Sequence, residues 1–175
     1  MLVKLVIILV VVIAVVLVIA ATRPSAFRIQ RSTAIRAPAA KVFANLDDFH
    51  RWESWSPWEK LDPALRRTFS GAERGPGAVY EWAGNSKVGK GKMAITEAVP
   101  PTALRINLDF LEPFEAHNVA EFTLAERDDS TTVNWAMLGN SPYMWKVMGL
   151  FMNMDRMIGK DFEKGLANLK TVAEA

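Results

Sequence analysis

"SPYMWKVMGLFMNMDRMIGKDFEKGLANLK", residues 141–170, is where the hydrophobic period of the chain changes. Upstream of it, apolar residues recur at every second position in runs broken by Gly, Pro and Asp, the pattern of half-buried strands. Within it Met144, Val147, Met148, Phe151, Ile158, Phe162, Leu166 and Leu169 fall on one face at helical spacing. Ser141-Pro142 supplies an N-cap and a first-turn proline, so one long helix is expected from there nearly to the C-terminus. A sheet followed by one amphipathic helix must bury the apolar faces of both against each other.

Outward from that stretch, strands are expected at Ala78–Ala83, Gly91–Ala98, Leu104–Phe110, Val119–Glu126 and Thr131–Met137, with a brief one at Thr68–Ser70. Asp128-Asp129-Ser130 reads as the turn of the last hairpin. Further back, Phe27–Ile35 alternates as a first strand, and Pro38 opens a short helix over AAKVFANLDD, residues 39–48. Then comes FHRWESWSPWEKLDP, residues 49–63, which holds half of the six tryptophans. A second short helix or tight turn ended by Pro57 would put Trp52 and Trp55 on one face and turn Trp58 with the chain. The three form a wall or rim where the short helices meet the sheet. Burying even part of each ring stabilises by about 2 kcal/mol, whatever else the rings touch.

The N-terminus is of another kind. Leu5–Ala21 is apolar without a break, about 26 Å of helix at ~1.5 Å per residue, close to the hydrocarbon thickness if Lys4 snorkels. The apolar run exceeds the roughly 7–15 residues of a signal-peptide core. An uncleaved anchor is therefore preferred to cleavage near Val18-Ile19-Ala20. The expected organisation is a single-pass anchor over residues 1–22 and one domain over residues 23–175, in the cell membrane. Arg23, Arg28, Arg31, Arg36 and Lys41 precede the first acid, Asp47, which by the positive-inside rule places the domain on the cytoplasmic side.

The charges nearly balance, 21 Lys+Arg against 19 Asp+Glu for a net +2. No basic cluster interleaves with aromatics, so nucleic acid is not an expected partner. With no cysteine and only His50 and His117, far apart, the chain offers neither zinc-ligand spacing nor a triad. No metal and no cofactor are expected. "GNSKVGKG", residues 84–91, comes near a phosphate-binding loop, but Gly91 stands where Ser or Thr must ligate magnesium and the segment lies between strands.

The order of elements resembles the polyketide cyclase/dehydrase-type branch of the START-like helix-grip superfamily. The resemblance rests on Trp52-x-x-Trp55-Ser56-Pro57-Trp58, Gly84-Asn85, Val88-Gly89-x-Gly91 and Gly159-x-Asp161-Phe162-Glu163-x-Gly165-Leu166-x-x-Leu169-Lys170. It runs from about Phe27 to Val172 and implies an α+β fold, a curved antiparallel sheet gripping the C-terminal helix with a hydrophobic cavity between them. It implies no reaction, because such folds host carriers and enzymes alike.

Strand alternation puts Tyr80 and Trp82, Leu108 and Phe110, and Trp135 and Met137 on the inward surface. Trp55 and Trp58 stand at its rim, and Met144, Met148, Phe151 and Met152 face it from the helix. Methionine is flexible and polarisable and suits surfaces that adapt to varied apolar ligands. With the resemblance, these residues are expected to line a pocket for a hydrophobic small molecule such as a lipid, a quinone or a polyketide-like compound. Two groups are candidates for proton transfer: Asp155, a carboxylate on the apolar helix face, and His50 beside the tryptophans. For Asp155 the competing reading is a salt bridge, with Arg31 among its partners. Three functions follow: a membrane-anchored ligand-binding domain, a cyclase- or dehydratase-type enzyme using the same cavity, or a protein-interaction module with a closed core.

Overall fold

The computed structural model describes residues 2–175. The elements are α1 (Leu2–Thr22), β1 (Ala26–Ile35), α2 (Ala39–Phe43), a 3-10 helix (Phe49–Ser54), β2 (Arg66–Gly71), β3 (Ala78–Ala83), β4 (Lys90–Val99), β5 (Ala103–Glu112), β6 (Ala116–Arg127), β7 (Ser130–Asn140), α3 (Tyr143–Met148) and α4 (Met154–Glu174). The seven strands form one antiparallel sheet in the order β1-β7-β6-β5-β4-β3-β2. β1 thus returns beside β7 and β2 closes the opposite edge.

Strand alternation turns one face of β1 and of β3 to β7 inward, onto the side of the sheet that carries α4. Leu104, Phe122 and Trp135 lie in register with Arg31. The next row is Ile95, Ile106, Ala120, Met137 and Ile29, and beyond it come Met93, Leu108, Asn118, Gly139 and Phe27. Against the first two rows α4 lays Phe162, Leu166 and Leu169, all buried. The Phe162 and Trp135 rings stack at 4.1 Å. That close approach needs glycines: a Cβ on Gly165 would lie 2.8 Å from the Trp135 ring and 3.0 Å from Pro57, and one on Gly159 would strike the Arg31 guanidinium. The two glycines of the closing motif are the places where α4 rides over the sheet.

Two expectations about helices are corrected. The first short helix ends at Phe43 and continues only as turns to Leu46, and the Asp48 side chain then caps the 3-10 helix by accepting from the His50 backbone N–H. The expected single C-terminal helix is two. α3 stops at Met148, Gly149 to Met152 form a bent link, and Asn153 takes an extended conformation in which its side chain accepts from the Arg156 backbone N–H at 2.9 Å. Glycine is a poor helix interior and asparagine a strong N-cap, so the local chemistry favours a restart. Tertiary contact completes the break, because α3 packs on α1 while α4 packs on β1.

α1 is long and apolar enough to cross a membrane, and its apolar side chains are exposed along almost its whole length. The basic residues that follow it are not all free juxtamembrane charge. Arg28 pairs with Glu121 of β6, and Arg31 pairs with Asp155 and Glu163 of α4.

Candidate functional site

The tryptophan stretch is a wall, and it is solid. The buried Trp52 and Trp55 indoles donate to the Leu46 and Asn45 carbonyls, each at 3.0 Å, satisfying acceptors in the turn that follows α2. Trp55, Trp135 and Phe122 meet one another edge-on and stacked at 5.1–6.2 Å. Trp58 adds edges onto Trp135 and Phe162. The middle of the space between sheet and α4 is therefore packed with rings rather than open. Trp55, Tyr80, Trp135 and Met137 are buried members of that core, while Trp58, Trp82, Leu108 and Phe110 are half-buried around it.

The expectation that Met144, Met148, Phe151 and Met152 face the sheet is corrected. All four lie on α3 or the link, off the sheet, and Met144 and Phe151 are 63% and 74% exposed. The helical period placed them with Ile158 and Phe162 only as long as the helix was continuous. Phe151 and Met152 instead help wall an open cleft of about 560 Å³, together with Arg23, Pro24, Ser141, Trp145, Lys146, Leu150 and Met154. The cleft sits where the end of α1, α3 and the link converge. Its lining joins the apolar Trp145, Leu150, Phe151 and Met152 to the polar Arg23, Ser141, Lys146 and Asn153, and polar atoms hold the larger share of the surface.

At the same end, the half-buried Phe27, Leu108 and Phe110 continue the concave face beyond the reach of α4. Asn118 sits among them, buried, as a polar side chain in an otherwise apolar row. Sequence reasoning named Arg23 only as a charge following the anchor and did not single out Trp145, Lys146, Leu150 or Asn118. Gly149 and Asn153 flag the helix break in the sequence, but the approach of Trp145 and Lys146 to the distant α1 is a tertiary contact that spacing does not show.

Neither proton-transfer candidate stands in an enclosed cavity. Arg31 donates to both carboxylate oxygens of Asp155, at 3.2 and 2.9 Å, to the Asp155 carbonyl at 3.0 Å, and to Glu163 at 2.8 Å. Those bonds hold the Asp155 carboxyl below the usual carboxylate range and push the Arg31 guanidinium further up. Asp155 is thus a helix-to-sheet clamp. His50 is exposed, held by Asp48 at 3.0 Å and stacked on Phe69 at 4.2 Å. It lies at the β2 edge and Asp155 at the β1 edge, with the whole sheet between them.

A second polar cluster lies at the β2 edge. The buried Glu59 carboxylate accepts from the Tyr80 hydroxyl and from Arg67, each at 2.6 Å. Burial first, and then the Glu59 carboxylate, push the Tyr80 phenol far up, so it stays protonated as a donor. The small cavity beside it, about 120 Å³, is lined by Phe49, His50, Glu53, Glu59, Arg67 and Phe69. Glu53, Glu59 and Arg67 there are already engaged in pairs with one another, and His50 is held by Asp48.

Solved structures with this architecture share its fold at low sequence identity. A protein from Chromobacterium violaceum is 15% identical, with 87% of this chain and 99% of that one aligned at a TM-score of 0.59. The Aha1 dimer from Colwellia psychrerythraea is 16% identical over 85% and 96%, at 0.57. The di-domain ARO/CYC protein BexL, from the BE-7585A biosynthetic pathway, is 17% identical over 90% of this chain and 53% of its own length, at 0.63. No curated protein matches the chain in sequence. A family profile described as polyketide cyclase / dehydrase and lipid transport matches residues 26–174, from the first residue of β1 to the last of α4. With the sheet, the gripped helix and the glycine approaches already in place, that match over nearly the whole folded region makes the chain a member of this START-like helix-grip family.

Proposed function

We propose that this is a membrane-anchored domain that binds a hydrophobic small molecule at its α1-proximal end. Residues 1–22 serve as the anchor and residues 23–175 as the binding domain. The observation that carries the reading is the cleft of about 560 Å³ between the end of α1, α3 and the α3–α4 link. That volume lies in the range of small-molecule sites, and the open lining combines the apolar Trp145, Leu150, Phe151 and Met152 with the polar Arg23, Ser141, Lys146 and Asn153. Family membership supports a lipophilic ligand, and the aromatic packing argues for the α1-proximal end in place of the middle of the sheet. A domain tethered beside a bilayer meets lipophilic molecules at high local concentration. Arg23, directly after α1, supports the cytoplasmic orientation. Within the cleft, Leu150, Phe151 and Met152 would hold the apolar body of the ligand, with Arg23 and Lys146 at its polar end.

The test is native mass spectrometry of the full chain released from mild detergent after exposure to a membrane lipid extract. The expected result is a co-purifying apolar molecule, a thermal shift on adding it back, and loss of both in Leu150→Arg. A chain that stays empty and shows no shift overturns the reading. One observation favours a second reading, an interaction module: the core is filled by aromatic rings while apolar side chains gather on the surface at this end. The same spectra separate the two, since an interaction module would run empty and as an oligomer. The enzymatic reading has lost its carboxylate to Arg31.

A further inference from the structure

Besides Phe151 and Met152 of the link, two segments expose apolar residues at the α1-proximal end. The β5–β6 hairpin contributes Leu111, 53% exposed, and Phe114, 60% exposed. α3 contributes Tyr143 and Met144, at 45% and 63%, and buries none of its six residues. The two segments meet where Phe114 sets its ring edge-on to Trp145 at 6.2 Å. In water this would be an unsupported helix and a bare aromatic hairpin tip.

What lies against this surface can be read from depth. The Tyr143 hydroxyl donates to the Leu17 carbonyl at 2.7 Å. Leu17 is more than one turn inside the C-terminal end of α1, about 7 Å from Thr22 at ~1.5 Å per residue. Lys146 donates to the Arg23 carbonyl at 3.0 Å, just beyond the helix end. α3 is therefore pinned alongside the last turns of α1, with a tyrosine on the apolar side and a lysine on the polar side. If α1 crosses a bilayer, α3 lies at the headgroup–acyl boundary, the depth at which Tyr, Trp and snorkelling Lys are favoured. Of the neighbouring acids, Glu112 pairs with Lys90 at 2.6 Å, while Glu115 shares His117 with Asp109 and leaves one negative charge for the headgroup side of the hairpin tip.

We propose that α3 and the β5–β6 hairpin tip form a second membrane contact, with Tyr143, Met144, Trp145 and Phe114 entering the interface of the bilayer that α1 spans. This rests on the reading of α1 as a membrane span. It seats the domain with its α1-proximal end against the lipid, so that a ligand passes from bilayer to cleft without crossing water. A short amphipathic segment gains interfacial affinity from buried apolar area, and α1 supplies the tether that makes so small a contact sufficient.

The chain has no cysteine, so single-cysteine variants can be labelled cleanly. Val10→Cys in α1, Met144→Cys, Phe114→Cys, Leu111→Cys and Val99→Cys would each carry an NBD fluorophore. The full-length protein would be reconstituted in phosphatidylcholine–phosphatidylglycerol vesicles with or without shallow doxyl lipids. Val99, at the β4–β5 turn, is an exposed apolar residue away from this end and serves as the aqueous control. The expected result is blue-shifted emission at 10, 111, 114 and 144, mostly lost with doxyl lipid at 111, 114 and 144, and no change at 99. If position 10 is in lipid while 111, 114 and 144 behave like 99, the second contact is overturned and the anchor stands. If position 10 itself reports water, the anchor reading fails and takes this proposal with it. Blue-shifted emission at 111, 114 and 144 that doxyl lipid does not quench would mean a protein surface covers the face, a second copy or another chain, and overturns the bilayer as its occupant.

Discussion

Arg31 and Gly159 are a pair in which one residue is defined by what the other lacks. The guanidinium lies across the helix face where a Cβ of residue 159 would stand, and from there it reaches Asp155 one turn before and Glu163 one turn after. Gly165 makes the same kind of room, but for the ring of Trp135 and for Pro57, which are rigid. The two glycines should therefore respond differently to alanine. In Gly165→Ala the ring cannot move without disturbing Trp55 and Phe162, so overpacking of about 1–3 kcal/mol outweighs a helix-propensity gain of about 1 kcal/mol. In Gly159→Ala the obstacle is the flexible end of a side chain, and the same propensity gain offsets the partial loss of exposed ion pairs worth roughly 0.2–1 kcal/mol each. Urea unfolding in micelles should place Gly165→Ala clearly below the parent and Gly159→Ala close to it. Equal losses in both would contradict the packing described for α4.

At the scale of elements, the β5–β6 hairpin carries a pH dependence of its own. His117 and Asp109 are register partners across the two strands, with Nδ1 to Oδ1 at 2.8 Å. The bond to Asp109, and then its charge, raise the His117 imidazolium above its ordinary range. A raised folded-state value means that protonation favours the folded hairpin. The contribution is fully present below the unfolded value of about pH 6.5 and is lost as pH rises through the higher folded one. The melting temperature should therefore drift down modestly as pH rises from about 6.5 through the raised folded-state value. His117→Gln should flatten that drift without changing the fold. A drift of the same size in the variant would assign it to other groups. The same hairpin holds Phe114, so a shift in its stability also alters the surface offered beside α3.

At the scale of the whole molecule, α1 and the sheet domain share little. α1 meets the rest of the chain through α3, its apolar side chains are exposed, and the family match begins only at residue 26. The core of the domain, from Ile29 and Trp55 to Leu169, is complete without α1. Residues 23–175 should accordingly unfold in one cooperative step, with far-ultraviolet circular dichroism matching a sheet plus α4. The change should be confined to α3, whose Tyr143 and Lys146 lose their acceptor groups or their setting on α1. Amide exchange should show α3 opening freely while β5, β6 and β7 stay protected. Loss of cooperativity in the sheet would mean that α1 is structural rather than a tether.

Local chemistry alone determined most of the elements and the fold class. Alternation over residues 78–137 placed five strands to within a few residues, because a strand with one buried face repeats at two whatever surrounds it. The closing Gly-x-Asp-Phe-Glu-x-Gly-Leu run marked the gripped helix, because Phe162, Leu166 and Leu169 must share a face in any helix. Periodicity could not decide where the helix stops. Met144, Met148 and Phe151 keep the right spacing, and only the packing of α3 on α1, with Asn153 capping a new start, takes them off the sheet. Nor could spacing tell core from cavity. An aromatic lining and an aromatic filling have the same alternation, and whether Trp135 faces a ligand or Phe162 depends on how closely α4 approaches. That distance is set by contacts between residues more than a hundred positions apart, Arg31 with Asp155 and Asn168 with the Trp55 carbonyl among them.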